Sequence, residues 1–332
     1  MASYNKKEHL RANIEAIKTV FTLHREQRTA TPEERMILAA YTGFGALKCI
    51  LSPANTMEDI ARWNKSEVEL FPLVMELHRI IRDNTASESQ YKSYMQSLKN
   101  SVMTAFYTPA PIVREIATSL QEAGIVPQRI LDPSAGMGEF IRSFDAIVAE
   151  EHTIFGFEKD ILTGQILSAL YPENKIRIRG FEEIESKLGG YFDVVSSNIP
   201  FGDVAVFDPV FSKTDEPARK IARMSLHNYF LVKSAGLIRA ESSISLLEGI
   251  FGALSISEST RALATALSKG TLKKFSGVGC LNCRMKLERK FSNALLCLSN
   301  FRKLCSCSAV GGTVFSLPFS SVPATALRFS SF

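Results

Sequence analysis

The most constraining feature of the sequence is the segment from Asp132 to Phe140, which reads Asp-Pro-Ser-Ala-Gly-Met-Gly-Glu-Phe. A short apolar strand is predicted before it at 129–131, and apolar spacing predicts an amphipathic helix after it. A strand, a glycine turn and a helix start form a geometry that binds nucleotide-like ligands. Gly136 and Gly138 let the backbone approach a ligand closely and take φ values that other residues avoid. The segment therefore predicts an α/β fold with a ligand site at this turn.

This segment resembles the cofactor loop of the amino-methylating DNA methyltransferases, whose pattern is Asp-Pro-x-x-Gly-x-Gly-x-Phe. The resemblance implies S-adenosylmethionine as the cofactor. It places the loop around the methionine part of that molecule, with an acidic residue near its amino group. The positions of this chain that take these roles are Asp132, Ser134, Gly136 and Gly138.

Charge divides the chain near residue 235. Residues 236–332 hold 12 Lys and Arg against 4 Glu and no Asp, whereas residues 1–235 hold 27 basic and 30 acidic residues. Five of the six cysteines also lie in the second part. The basic character of the whole chain, a net charge of +5, therefore comes from this tail.

Length and hydropathy set the wider expectations. A chain of 332 residues is long enough for about two domains. The first ten residues are polar and no long apolar run follows, so the sequence predicts neither a secretory signal nor a membrane span. We therefore expect a cytoplasmic protein. We divide the chain into a helical region at 1–100, an α/β core at 101–235 and an unassigned basic, Ser- and Cys-rich tail at 236–332.

The first hundred residues carry helical periodicity. Apolar residues from Leu10 to Phe21 follow a 3.6-residue period, and Thr31-Pro32 is a typical helix start. The phrase Tyr-Thr-Gly-Phe-Gly-Ala-Leu-Lys at 41–48 resembles the leader of large methylase–helicase proteins of conjugative elements and phages.

A Phe-Tyr-Thr-Pro phrase at 106–109 precedes the glycine loop by about 25 residues. Thr108 is predicted to cap the next helix, with Pro109 in its first turn. The resembling methyltransferases carry this phrase where the chain closes over the methionine end of the cofactor. The resemblance therefore implies that Tyr107 and Thr108 contact the cofactor.

The next two predicted strands, at 153–157 and 176–178, supply further cofactor candidates. Glu158 follows the first of them, where a carboxylate can accept both ribose hydroxyl hydrogens. The alternative is a solvated acid at a strand end. In the resembling family an acidic residue beside an apolar one approaches the adenine ring after the following strand, and Phe181 and Glu182 match these positions.

The phrase Asn198-Ile199-Pro200-Phe201 resembles the catalytic Asn/Asp-Pro-Pro-Tyr/Phe phrase of the same family, and it lies at the end of a fourth predicted strand that covers 191–196. An exocyclic amine is a poor nucleophile because its lone pair is delocalised, and acceptors for both hydrogens favour a tetrahedral nitrogen. The side-chain oxygen of Asn198 and the carbonyl of Ile199 can act in this way, and Phe201 can stack on an extruded base. The family has Pro at the position of Ile199, so the carbonyl survives but the fixed φ does not. No metal or covalent intermediate is expected.

The remainder of the chain is harder to interpret. Residues 208–223 are polar and predicted to form a mobile loop, in which Lys213, Arg219, Lys220 and Arg223 contact phosphates or solvent. After residue 236 we find no clear strand pattern. The tail is a zinc module built on four cysteines, an out-of-frame or otherwise non-native segment, or a helical appendage. The cysteines in question are Cys280, Cys283, Cys305 and Cys307.

The sequence thus predicts a Rossmann-like methyltransferase sheet, incomplete after four strands, behind a helical N-terminal region. The implied activity is methyl transfer from S-adenosylmethionine to the N6 amino group of adenine in DNA. An RNA or protein-glutamine methyltransferase and an inactive fragment are the alternatives. DNA is the expected partner, and a helicase or restriction partner stays open.

Overall fold

The computed structural model describes residues 5–45, 47–104, 107–122, 124–200, 204–248 and 313–316. The helices are α1 (Lys6–Glu26), α2 (Pro32–Ala39), α3 (Phe71–Asp83), α4 (Glu88–Thr104), α5 (Ala110–Glu122), α6 (Glu139–Phe144), α7 (Ile161–Leu170), α8 (Pro209–Lys213), α9 (Pro217–Ala222) and α10 (Leu226–Ala235). The strands are β1 (Arg129–Asp132), β2 (Thr153–Phe157), β3 (Lys175–Arg177), β4 (Phe192–Ile199), β5 (Ile238–Glu248) and β6 (Thr313–Ser316).

The chain divides into two compact units. Unit 1 contains residues 1–110, 132–142 and 153–181, and unit 2 contains residues 111–131, 143–152 and 182–332. Each unit therefore draws on several separate stretches of the sequence, and each is described by itself.

Unit 1 begins with the helices that the sequence predicts for the first hundred residues. Asn5 caps α1 by accepting a hydrogen bond from the backbone N–H of Lys7 at 3.1 Å. Thr31 and Glu34 form a reciprocal capping box at the start of α2, with Pro32 in the first turn. The predicted helical region and the predicted start of α2 are thus confirmed.

The apolar core of unit 1 joins this helical region to α7. Helices α1, α2 and α4 all pack against α7. The buried side chains of this cluster include Leu10, Ile14, Ile17, Phe21, Leu38, Leu98, Leu162, Ile166 and Leu170. Because α7 directly follows β2, the helical region fixes the segment that leaves the end of that strand.

Strands β2 and β3 form the sheet of unit 1. They pair in parallel, with Phe155 opposite Lys175 and Phe157 opposite Arg177. Four of the five residues of β2 are buried, which is typical of a parallel strand covered on both faces.

Unit 2 contains the other strands. Strand β4 pairs in parallel with β1 and with β5, and β6 adds to β5 in the antiparallel direction. Asp193 accepts hydrogen bonds from the backbone N–H groups of Gln128 and Arg129 at 2.8 and 3.0 Å, and it forms an ion pair with Arg239. One carboxylate therefore holds the beginnings of three neighbouring strands.

Two predictions in this region are wrong. No clear strand pattern is predicted after residue 236, but β5 begins at Ile238 and runs beside β4. The predicted mobile loop at 208–223 instead contains α8 and α9. Both begin with Pro in the first turn, a helix-start signal that the polar composition obscured.

Parallel strand pairing in both units, with helices between the strands, confirms the predicted Rossmann-like α/β fold. Within the described ranges, no helix is long and apolar enough to cross a membrane. In the same residues, no cluster of His, Cys, Asp and Glu side chains could hold a metal ion. The four cysteines of the proposed zinc module lie outside the described residues.

Candidate functional site

The candidate site lies in unit 1, where Glu158 follows β2. Its carboxylate accepts two backbone hydrogen bonds, from the N–H of Gly136 to Oε2 at 2.8 Å and from the N–H of Asp160 to Oε1 at 2.7 Å. Its own N–H donates to the carbonyl of Arg177 at 3.0 Å. Glu158 therefore ties the glycine bend to the end of β2.

The electrostatic environment of Glu158 is unusual for a carboxylate at a strand end. Burial and, to a smaller extent, the negative charges of Asp160 and Asp132 together raise the pKa of Glu158 to about 7, although the two backbone hydrogen bonds act in the opposite direction. A half-buried acid whose pKa is shifted in this way is a functional-site candidate.

Gly136 brings an aromatic ring to the same place. Its φ of +52° lies in the left-handed region, where glycine is favoured. A Cβ atom at this position would lie 3.0 Å from the ring carbons Cδ1 and Cε1 of Tyr107. The absent side chain thus lets the Tyr107 ring close over the bend. Burial raises the pKa of the Tyr107 hydroxyl well above its ordinary value.

The second glycine of the loop serves packing. Gly138 has a φ of +79°, and a Cβ there would lie 2.6 Å from Tyr171 Cε2 and 2.7 Å from Leu167 Cδ1. Asp132 is 1% exposed, and its Oδ1 accepts the backbone N–H of Ser134 at 3.1 Å. The loop is therefore shaped by its own contacts and by α7.

The predicted cap by Thr108 is wrong. Helix α5 begins at Ala110, so Thr108 and Pro109 both precede it. Thr108 Oγ1 is buried and has no hydrogen-bond partner among the described residues. A buried hydroxyl that is not used for capping leaves Thr108 available for a ligand.

The two adenine-ring candidates lie in different units. In unit 1, Phe181 is 2% exposed and packs edge-on against Phe157, with ring centroids 6.2 Å apart. In unit 2, the backbone carbonyl of Glu182 accepts a hydrogen bond from Lys233 Nζ at 3.0 Å. Of these two candidates, Phe181 belongs to the same unit as Glu158, and Glu182 does not.

The predicted catalytic phrase belongs to unit 2. Strand β4 continues to Ile199, three residues beyond the predicted end, because Asn198 and Ile199 pair with β5. Asn198 and Pro200 are half-buried and Ile199 is 4% exposed. Phe201 lies outside the described residues.

Three residues around Glu158 were not identified from the sequence. Asp160 caps α7 by accepting the N–H of Thr163 at 2.9 Å, and Ser97 of α4 donates to Asp160 Oδ2 at 2.6 Å. Tyr41 is 1% exposed and lies close enough to both carboxylates for their charges to raise the pKa of its hydroxyl beyond the effect of burial. The sequence could have identified Asp160 as a helix cap, because an Asp directly precedes the apolar run of α7. No sequence pattern connects Ser97 or Tyr41 with Glu158.

A search of protein-family models finds no match for the chain. One curated relative is Defense against restriction protein B of Escherichia phage P1, which is 31% identical over 101 residues. This stretch covers 30% of the chain and 4% of the phage protein, so the chain matches only a small part of that relative.

Several solved structures are similar to the chain at low identity. A modification subunit of a proposed type I restriction enzyme from Vibrio vulnificus has a TM-score of 0.42 and 14% identity, covering 80% of this chain and 71% of that one. A proposed class I S-adenosylmethionine-dependent methyltransferase from Listeria monocytogenes has a TM-score of 0.41 and 13% identity, covering 79% and 80%.

The type I restriction-modification methyltransferase subunit from Streptococcus thermophilus has a TM-score of 0.39 and 12% identity, covering 78% of this chain and 72% of that one. All three TM-scores are below 0.5.

Proposed function

We propose that this chain is a DNA methyltransferase that transfers the methyl group of S-adenosylmethionine to the N6 amino group of adenine. The observation that carries the proposal is the contact of Glu158 with Gly136, which joins the acid after β2 to the glycine bend. The Tyr107 ring lies over that bend. The residue types that the loop resemblance implies for the cofactor therefore occur together in unit 1.

The donor set fits this cofactor. Each oxygen of the Glu158 carboxylate accepts one backbone hydrogen bond and keeps lone-pair capacity for a hydroxyl donor. The Tyr107 ring beside Gly136 adds an aromatic contact, and the buried hydroxyl of Thr108 adds a polar one. When bound, S-adenosylmethionine would supply a methyl group on a positively charged sulfur, and transfer would break that sulfur–carbon bond and leave neutral S-adenosylhomocysteine. We assign Glu158 to the ribose and Asp132, Ser134, Gly136, Gly138, Tyr107 and Thr108 to the methionine part.

We assign binding of the adenine amine to the end of β4. The side-chain oxygen of Asn198 and the carbonyl of Ile199 accept the two hydrogens of the adenine amine, which localises the nitrogen lone pair for bond formation. One amine hydrogen then leaves to solvent as a proton. Pro200 fixes the chain direction after Ile199, and Phe201 stacks on the extruded base. Phe181 and Glu182 are the candidates for the adenine ring of the cofactor.

A link with restriction is part of the proposal. The name of the phage P1 relative connects that protein with defence against restriction. Methylated adenine within a recognition site blocks cleavage by endonucleases that read this amine in the major groove. We therefore expect DNA treated with this chain and the cofactor to resist at least one such endonuclease.

The test is a methyl-transfer assay with the full chain and S-adenosylmethionine labelled on the methyl group. Unmethylated duplex DNA, RNA and a glutamine-containing peptide are offered in parallel, and the products are digested and separated. The proposal predicts N6-methyladenine from DNA and its loss in Asn198→Ala. Label in RNA or glutamine alone, or no label in any substrate, contradicts it.

A further inference from the structure

We propose that Ser97 and Asp160 are positioning residues that hold the Glu158 carboxylate in place for the cofactor. This inference rests on the proposed function, because it assigns a purpose to a contact of the proposed cofactor site. Under this inference, helix α4 of the N-terminal region supports the cofactor site through Ser97. Nothing in the sequence resemblance gives a role to either residue.

A continuous chain of hydrogen bonds runs from α4 to the glycine bend within unit 1. Ser97 Oγ donates to Asp160 Oδ2 at 2.6 Å, and the Asp160 N–H donates to Glu158 Oε1 at 2.7 Å. The other oxygen of Glu158 accepts the N–H of Gly136 at 2.8 Å. Every link is within normal hydrogen-bond distance. The position of Glu158 is thus coupled to a side chain more than sixty residues earlier.

The Ser97 hydroxyl has little freedom to turn away. Besides donating to Asp160, it accepts the backbone N–H of Leu162 at 3.2 Å, and the residue is 3% exposed. Ser97 therefore holds the start of α7 at two points, one on the Asp160 side chain and one on the backbone. The first point is on the residue whose backbone N–H reaches Glu158, and the second is two residues later in the chain.

Helix capping alone does not account for this arrangement. The cap of α7 needs only Asp160 Oδ1, which accepts the N–H of Thr163 at 2.9 Å. The second oxygen, Oδ2, is directed to Ser97, and the backbone N–H of the same residue is directed to Glu158. Asp160 thus joins three separate segments, α4, α7 and the end of β2.

The charges that face Glu158 make the coupling measurable. Asp160 at the start of α7 and Asp132 at the end of β1 carry these charges, whereas the hydroxyls of Tyr107 and Tyr41 face Glu158 in neutral form, because burial raises their pKa values. A hydrogen bond from Ser97 disperses the charge of Asp160, and the Asp160 N–H stabilises the Glu158 anion. Loss of Ser97 weakens both effects and so raises the pKa of Glu158. Loss of the Asp160 charge lowers it.

The test follows the titration of Glu158 in the full chain without cofactor, by NMR of 13C-labelled glutamate assigned with Glu158→Gln. The inference predicts that Ser97→Ala raises the Glu158 pKa by about half a unit and that Asp160→Asn lowers it by a similar amount. Ser97→Thr keeps the hydroxyl and is expected to restore the wild-type titration. Ser93→Ala, an exposed position one turn earlier on α4, is the matched control and is expected to change nothing.

Binding of S-adenosylhomocysteine, measured by calorimetry at pH 7, gives the second readout. Ser97→Ala should weaken it about three- to tenfold, and Ser97→Thr and Ser93→Ala should not. A general loss of structure would not produce shifts of opposite sign in Ser97→Ala and Asp160→Asn. An unchanged Glu158 titration in both variants overturns the inference. Absence of binding to the wild-type chain would instead overturn the proposed function, and the titration would still decide the positioning role.

Discussion

Gly136 donates its backbone N–H to Glu158 Oε2 at 2.8 Å, so the glycine bend and the acid after β2 form one unit of structure. Two residues 22 positions apart thereby define the candidate cofactor site.

Glu158→Gln should stabilise the protein at alkaline pH. The Glu158 pKa is about 7 in the fold and about 4.3 in an unfolded chain, so the folded state favours the protonated acid. The free energy of unfolding of the wild type therefore falls as pH rises from about 4.5 to 7, and this loss of stability is complete above pH 7. At pH 8 the variant should gain about 1–3 kcal/mol in free energy of unfolding, measured by urea denaturation.

The gain should shrink toward pH 5, where the wild-type carboxyl is protonated. Glu151→Gln, at an exposed position, serves as the control and should behave like the wild type at both pH values. An equal gain at pH 5 and pH 8 would contradict the raised pKa.

Gly136→Ala should destabilise the protein by more than the backbone strain alone and should also weaken cofactor binding. Gly136 and Gly190 both have positive φ, +52° and +62°, but a Cβ at Gly190 meets no atom within 4 Å, whereas one at Gly136 meets the Tyr107 ring. Each alanine should cost about 1–2 kcal/mol of strain. Only Gly136→Ala should add the displacement of Tyr107 and weaken S-adenosylhomocysteine binding, measured by calorimetry. Equal binding by both variants would argue against a role for the bend.

Asn198→Ala should separate catalysis from cofactor binding. If Asn198 accepts an amine hydrogen of the substrate, its loss should lower the methyl-transfer rate by about 100-fold or more, similar to the loss of one transition-state hydrogen bond elsewhere. The affinity for S-adenosylhomocysteine should stay within about twofold of the wild type, since the proposal gives Asn198 no cofactor contact. A parallel loss of both would indicate a structural defect instead.

Lys233→Ala should strongly destabilise unit 2. Asp208 is fully buried and accepts hydrogen bonds from Lys233 Nζ and Tyr229 Oη, both at 2.6 Å. Burial opposes the Asp208 charge, but these hydrogen bonds outweigh it and hold the pKa of Asp208 below its ordinary value. Removing the lysine leaves a buried charge without its cation, at a cost of about 3–5 kcal/mol in urea denaturation.

The double variant Asp208→Asn with Lys233→Met removes both charges and should recover a large part of that loss. Lys220→Ala, at an exposed position of α9, is the control and should have little effect. If the double variant were as unstable as Lys233→Ala, the buried charge would not be the cause.

Much of the fold could be predicted from local sequence patterns. Strand β2 was predicted at its observed bounds, because Thr153 to Phe157 is a short apolar run ending at an acid. The start of α2 followed from Thr31 and Pro32, whose capping and fixed φ act locally. The positive φ of Gly136 was likewise expected from its place between a strand and a helix.

What the sequence did not reveal depends on distant partners. Strand β5 is held by pairing with β4, and its Ser-rich sequence has no strong strand pattern of its own. Asp208 was assigned to a polar loop because its partners, Tyr229 and Lys233, come more than twenty residues later. The link from Ser97 to Glu158 through Asp160 was missed for the same reason. The division at residues 100 and 235 and the assignments of Asn198 to Phe201 stay predictions.

The most direct test of the central claim is calorimetric titration of the full chain with S-adenosylhomocysteine, for the wild type and Glu158→Ala. If the acid after β2 and the glycine bend hold this cofactor, the wild type binds one equivalent and the variant binds at least about tenfold more weakly, the effect of losing a charged hydrogen bond. No binding by the wild type, or equal affinity in the two proteins, would contradict the claim.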